Sequence, residues 1–337
     1  MIDSIAYQSL SAWVMTDGKI GMENQARGLA EAMSVAYNIK QVQLRFPWNY
    51  ISPFVQMGKK YCLQNKIELG FTPPWPNIVI ACGRKSILPA LMVKEESNAK
   101  IIYLQSPVIS AKYFDLVIAP AHDARATGEN VLYSIGALHR VTEQQLNQAH
   151  DRFSYLFSKY SQPRLGILLG GDNKAYHWDQ SIIQKLIQEL KALITYQSLS
   201  VFITPSRRTD SKIIQLLKDE FKEFSSKVYI WDTEKEENPY FGILAWSDFL
   251  LVSCESVSMI SEACATYCPV YLLSLPGKRD KKFQSFHRNL ENLDRIKWWK
   301  GKLNQSLIKT QSFDETKMIA AKVIKYLYID PEKNYAS

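Results

Sequence analysis

Pro163-Arg164-Leu165-Gly166-Ile167-Leu168-Leu169-Gly170-Gly171-Asp172-Asn173-Lys174 is the stretch that decides the fold. A short apolar run over 165–169 ends on paired glycines, the pattern of a buried strand turning sharply. Asp179 then reads as an N-cap, and Ile182, Ile183, Leu186, Ile187, Leu190, Leu193 and Ile194 form one apolar helical stripe behind it. Strand, glycine turn and amphipathic helix together open a parallel α/β unit. Tyr160-Ser161-Gln162-Pro163, just before it, reads as a linker, so the unit is a restart.

The preceding half carries the same alternation. Strands are expected over 12–16, 40–46, 77–81, 100–104, 114–119 and 131–135, with helices from residue 22, over 50–65 and over 142–159. After the restart, strands are expected over 165–169, 200–204, 228–231, 249–252 and 269–275, with helices over 210–224, from 256, and over 314–328. The expected fold class is α/β, with two Rossmann-like domains facing a cleft. They cover residues 1–160 and 161–337, with the last helix packing back on the first. Ligands of such sheets bind beyond the carboxyl ends of the strands.

The 337 residues are 46% hydrophobic and 22% charged, a globular balance that suits two ordinary domains. No run approaches about 18 apolar residues, the length a membrane-spanning helix needs. The start, MIDSIAYQSLSAWVM, lacks the basic, apolar and cleavage regions of a signal peptide, so a cytoplasmic protein is expected. Cys62, Cys82, Cys254, Cys264 and Cys268 show no paired spacing, which points to neither a zinc site nor a disulfide framework. The net charge of +8 is concentrated: Lys278, Arg279, Lys281, Lys282, Arg288, Arg295, Lys297, Lys300, Lys302 and Lys309 face only Asp280, Glu291 and Asp294 in that segment. This basic stretch, with Lys297-Trp298-Trp299-Lys300, suits an anionic membrane surface, where the indoles would lie at headgroup level. No recognised nucleic-acid module accompanies it, and no nucleic acid is expected.

Three loops of the second half carry groups that bind phosphate or ribose. Gly170, Gly171, Asn173 and Lys174 allow close backbone approach to a ligand. Ser206, Arg207 and Arg208 follow the next strand, and paired guanidinium forks match a diphosphate. Glu255, Ser256, Ser258 and Glu262 open a helix rich in hydroxyls, with Ser258 and Glu262 on one face and a carboxylate placed for a ribose diol. In the first half, Asp17 after the first strand is the candidate general base, and His122-Asp123 is a second pair able to move a proton. G-x-G-x-x-G and G-x-x-x-x-G-K-[ST] are both absent, which disfavours NAD and P-loop chemistry. Asp-x-Asp is absent as well, so no metal and no cofactor are expected.

As a set these segments resemble one family. Its pattern is carried by residues 16–26, Gly83-Arg84-Lys85, residues 114–123, Gly136-Ala137-Leu138-His139-Arg140-Val141-Thr142, Gly170-Gly171-Asp172-Asn173-Lys174, Ser206-Arg207-Arg208-Thr209, Asn238-Pro239-Tyr240 and residues 256–263. The family is the mitochondrial-fission ELM group, with plant and bacterial members, which is similar to GT-B glycosyltransferases. The family usually has Asp-Ser where this chain has Glu255-Ser256, so the carboxylate is kept with a longer reach. The resemblance implies a GT-B-like fold with an acceptor side in the first half and a nucleotide-sugar side in the second. It implies a metal-independent glycosyltransferase; a glycan or lipid acceptor at the inner face of a membrane would account for the basic Trp-bearing segment. A non-catalytic fission-type adaptor and a sugar-nucleotide epimerase are the rival readings.

Overall fold

A computed structural model describes residues 10–123, 125–231, 237–278, 280–304 and 311–328. The chain divides into two compact units, Met1–Arg140 with Glu315–Ser337, and Val141–Asp314. The first unit contains β1 (Ser11–Thr16), α1 (Ile20–Ala32), β2 (Ala36–Gln41), α2 (Trp48–Ile51), β3 (Ile78–Cys82), α3 (Ile87–Glu96), β4 (Lys100–Leu104), β5 (Leu116–Pro120) and β6 (Val131–Ser134). All its strand pairs are parallel, in the order β2-β1-β3-β4-β5-β6. Successive strand residues face opposite sides. Trp13, Met15, Val79, Ala81, Ile101 and Tyr103 therefore build one core, and Ala12, Val14, Ile78, Ile80, Ile102 and Leu104 the other.

The second unit contains α4 (Glu143–Arg152), α5 (Ser154–Phe157), β7 (Arg164–Leu169), α6 (Gln180–Gln197), β8 (Ser200–Pro205), α7 (Ser211–Glu220), β9 (Val228–Ile230), α8 (Tyr240–Trp246), β10 (Phe249–Ser253), α9 (Val257–Cys264), β11 (Val270–Leu273), α10 (Lys281–Asn292) and β12 (Ile296–Trp298). Its sheet is also parallel, ordered β12-β11-β10-β7-β8-β9. The apolar stripe of α6 packs on Leu165, Ile167, Val201 and Ile203.

The chain passes to the second unit after Arg140 rather than at residue 160. The reason lies in the aromatic residues of the supposed linker helix, which the second core uses. Phe157 meets Phe202 at 4.6 Å, and His150 stacks on Trp246 at 4.2 Å. Gly242 lies where any Cβ would come within 2.7 Å of the Phe153 ring. α11 (Glu315–Tyr328) then supplies Ile319, Ala320 and Val323 to the first unit's core beside Leu29 and Met33.

Other elements differ from the sequence expectation. β2 lies at 36–41 rather than 40–46, because it is an edge strand paired residue for residue with Ser11–Thr16 and ends where β1 ends. The helix expected over 50–65 is only the short α2, since Pro53 cannot continue a helix and Gly58 adopts φ +70°. The expected 142–159 helix breaks into α4 and α5 at Phe153. α8, α10 and β12 lie where no element was expected.

The return of the chain to the first unit is fastened by Glu315. Its buried carboxylate accepts from the amides of Ile135 at 2.5 Å and Gly136 at 2.8 Å, while Thr316 Oγ1 accepts from the His139 amide at 2.9 Å. Gly28 of α1 lies so close beneath that an added Cβ would come within 2.2 Å of the His139 carbonyl oxygen. Glu315→Ala leaves two amides without their acceptor and is expected to cost about 1–3 kcal/mol in urea denaturation. Met318→Ala on the exposed side of α11 is expected to stay within about 0.5 kcal/mol.

Candidate functional site

In the second sheet β7 leads outward to β8 and β9, and β10 leads the other way to β11 and β12. β7 and β10 are neighbours, so the order reverses between them and the loops after them diverge at one edge. The candidate residues Gly170, Gly171, Asn173, Ser206, Arg208 and Glu255 are interlocked there.

Ser253 Oγ accepts from the Gly170 amide at 2.8 Å and donates to Glu255 Oε1 at 2.9 Å. Asn173 donates from Nδ2 to the Glu255 carbonyl at 3.2 Å, while its Oδ1 accepts from the Ala175 and Tyr176 amides. Thr209 donates to the Gly170 carbonyl oxygen at 2.7 Å, and its Oγ1 accepts from the Ser206 amide at 2.9 Å. Ser206 Oγ in turn accepts from the Arg208 amide at 3.2 Å. Three loops are thus tied into one surface by their own side chains.

The paired glycines serve this packing. A Cβ on Gly170 would sit 1.6 Å from Glu255 Oε1, and one on Gly171 would sit 2.0 Å from the Arg208 carbonyl oxygen. The position a side chain would take at either glycine is filled by the neighbouring loops. Glu255 is 3% exposed, and its Oε2 has no hydrogen-bond partner among the described residues. Burial pushes its carboxyl above the usual carboxylate range, against the pull of its own amide, the Ser253 hydroxyl and the Arg208 cation.

Around this framework the charges are open to solvent. Arg207, Arg208 and Lys174 are exposed, and none forms an ion pair among the described residues. Ser256 caps α9, accepting from the Met259 amide at 3.5 Å, and Ser258 follows in the first turn. Glu262, one turn further on α9, accepts from the Tyr240 hydroxyl at the start of α8. Burial pushes Glu262 up to about 7 despite that bond, and burial beside this carboxylate raises Tyr240 as well. Tyr240 lies outside the sequence-chosen set. The sequence marks it only through Asn238-Pro239-Tyr240, a segment of the family pattern, because its partner is 22 residues away and reached only through folding.

In the first unit, Asp17 lies in the loop after β1. Its Oδ2 is 3.1 Å from Lys19 Nζ, and its buried Oδ1 has no partner among the described residues. His122 and Asp123 lie on a short 3-10 turn after β5. The Asp123 carboxylate is held in a two-pronged pair with Arg125, at 2.9 and 3.0 Å, which commits both its oxygens to a guanidinium. No group of three or more His, Cys, Asp or Glu side chains suited to a metal ion occurs among the described residues.

The basic segment is arranged differently from its sequence reading. Trp299 donates to Glu189 at 2.7 Å and meets Tyr271 edge-on, while Trp298 packs edge-on against His287. Both indoles are structural and not set out at a headgroup interface. Lys297, Lys300 and Lys302 are exposed around them; Arg279 and Lys309 lie outside the described residues. No helix among the described residues is long and apolar enough to cross a membrane.

The family described as Mitochondrial fission ELM1 matches residues 20–327. The mitochondrial fission protein ELM1 of Arabidopsis thaliana is 31% identical over 224 residues, 59% of this chain. The match spans about half of that protein's length, 51%. An uncharacterised protein of Rickettsia prowazekii is 24% identical over 319 residues, covering 83% of this chain and 88% of its own. Among solved structures, UDP-GlcNAc 2-epimerase of Methanocaldococcus jannaschii superposes with a TM-score of 0.51 over 94% of this chain and 100% of that chain. At 10% identity the likeness is one of fold: two parallel α/β units of the GT-B kind.

Gly171→Ala is expected to destabilise the second unit by about 1–3 kcal/mol, because backbone and not a flexible side chain must yield. Arg207→Ala is expected to change stability by less than about 0.5 kcal/mol; urea denaturation reads both. Glu262 sets a pH dependence. Its carboxyl ionises near 4.5 when unfolded but keeps its proton to about 7 when folded. The folded state therefore binds more protons in that window, and stability falls as pH rises from about 4.5 to about 7. Thermal melts of Glu262→Gln across this range are expected to lack that fall.

Proposed function

The chain belongs to the Mitochondrial fission ELM1 family, and we propose that it is a GT-B-type glycosyltransferase that takes a nucleotide-diphosphate sugar at the strand ends of its second unit. The observation that carries this reading is the interlocked surface after β7, β8 and β10. It combines exposed, unpaired guanidinium groups with the capped start of α9 at a reversal of strand order. Such a surface favours a polyanion through charge and free helical amides together.

In this reading Arg207, Arg208, Lys174 and Ser258 hold the diphosphate, with Gly170, Gly171, Asn173, Ser206 and Ser256 shaping the loops. Glu262 accepts from the ribose diol, replacing the bond it now receives from Tyr240. Glu255 braces the loops through Oε1. The acceptor is a hydroxyl of a glycan or lipid, with Asp17 as the base that takes its proton; His122 is the alternative. The acceptor oxygen bonds to the anomeric carbon, the bond from that carbon to the diphosphate oxygen breaks, and the diphosphate leaves with the electron pair. The cations that bound the donor then stabilise the charge that grows on the leaving group.

The test is a calorimetric and thermal-shift panel of UDP-, GDP- and CMP-sugars. One nucleotide class is expected to bind, and Arg208→Ala is expected to weaken it about tenfold or more, the loss of one charge-assisted contact. Affinity is expected to fall as pH drops below about 7, where Glu262 becomes protonated. Absence of any nucleotide binding sinks the proposal in favour of a non-catalytic adaptor. Binding followed by interconversion of the free nucleotide-sugar, seen by NMR without acceptor, favours an epimerase.

A further inference from the structure

Between β2 and β3 the chain leaves the first sheet and comes back to it. Leu44 pairs antiparallel with Leu63, the Arg45 amide donates to the Cys62 carbonyl at 2.9 Å, and the Gln64 amide donates to the Gln43 carbonyl at 2.8 Å. Residues 45–62 therefore form an excursion closed at its base, with Leu44, Cys62, Leu63 and Phe71 buried beneath. On its outer side the usual rule is reversed. Phe46, Tyr50, Phe54, Met57 and Tyr61 are 56% to 87% exposed, and Val55 joins them. Single exposed apolar residues are ordinary on a protein surface. A group of this size on one short, pinned segment marks a surface that is covered in use.

The charges around it identify the cover. From residue 32 to residue 67 the chain contains no Asp or Glu. Lys59 and Lys66 are met by Glu95 and Glu96 of α3, at 2.5 and 2.7 Å. Arg45 is exposed and has no ion pair among the described residues, and Lys60 lies 5.0 Å from the Tyr61 ring centroid, also without one. Aromatic and methionine side chains set among unneutralised cations complement the boundary between anionic headgroups and acyl chains.

We propose that the excursion 45–62 docks the protein on an anionic lipid surface. Its exposed aromatic and methionine side chains enter the acyl boundary, and Arg45 and Lys60 meet the headgroup phosphates. The surface uses none of the residues assigned to the nucleotide, so the two proposals stand or fall separately.

The full chain is sedimented with vesicles of phosphatidylglycerol and phosphatidylcholine, and with vesicles of phosphatidylcholine alone. It is expected to bind the anionic vesicles and largely ignore the neutral ones. The combined variant Tyr50→Ser, Phe54→Ser, Met57→Ser is expected to lose about tenfold or more in partitioning, with an unchanged thermal melt because these side chains are exposed. Arg45→Gln with Lys60→Gln is expected to remove the preference for the anionic lipid while leaving the apolar surface intact. Failure of the unaltered chain to bind anionic vesicles overturns the proposal, as does equal binding by the serine variant. A concentration-dependent dimer that the serine variant abolishes, without vesicle binding, overturns it in favour of a second copy of the chain.

Discussion

The approach of the loop after β7 to the loop after β10 is the constraint on which the second unit depends. Parallel strands place all their carboxyl ends on one edge, and the strand order reverses at this pair. Divergent loops would ordinarily be free to move. Here the Gly170 amide bonds to Ser253, Ser253 bonds to Glu255, and Asn173 reaches back to the Glu255 carbonyl. Only glycine at 170 and 171 permits so close an approach. The surface proposed for a nucleotide is thus organised before any ligand arrives, which lowers the ordering cost of binding.

The same packing sets the electrostatics. Glu255 and Glu262 both lie where the protein displaces water, and both are pushed toward their neutral forms. The cations nearby, Arg207 and Arg208, are exposed, and neither forms an ion pair among the described residues. The hydroxyl of Tyr240 meanwhile occupies Glu262, so binding of a diol there means exchanging one hydrogen bond for others rather than desolvating a bare carboxylate.

Aromatic side chains are used in two opposed ways. Trp298 and Trp299 lie in a strongly basic stretch, yet they brace β12 against α10 and α6 through His287 and Glu189. Phe46, Tyr50 and Phe54, in a stretch of lower charge density, lie in water. What separates the two groups is the neighbouring backbone. β12 extends a sheet, where Ile296 is buried and Trp298 packs on His287 of α10. Residues 45–62 leave the sheet at Leu44 and pack on the core through Trp48 and Cys62, which leaves Phe46, Tyr50 and Phe54 uncovered.

Much of the architecture was legible in the residues themselves. Buried parallel strands need unbroken apolar runs, and such runs at 78–82, 101–104, 165–169, 201–203 and 249–252 identify the α/β class. The residues at the strand ends were legible for the same reason, since an apolar run must stop before its loop begins. β2 was misplaced because an edge strand is half solvated and carries little pattern, and the short β12 was masked by its charges. Only the tertiary structure decided that residues 143–157 belong with the second core. It alone also showed that Gly170 and Gly171 accommodate other loops, that Tyr240 meets Glu262, and which aromatic residues remain uncovered. These depend on contacts between residues distant in sequence, and periodicity records which face a residue prefers, not the partner that will cover it.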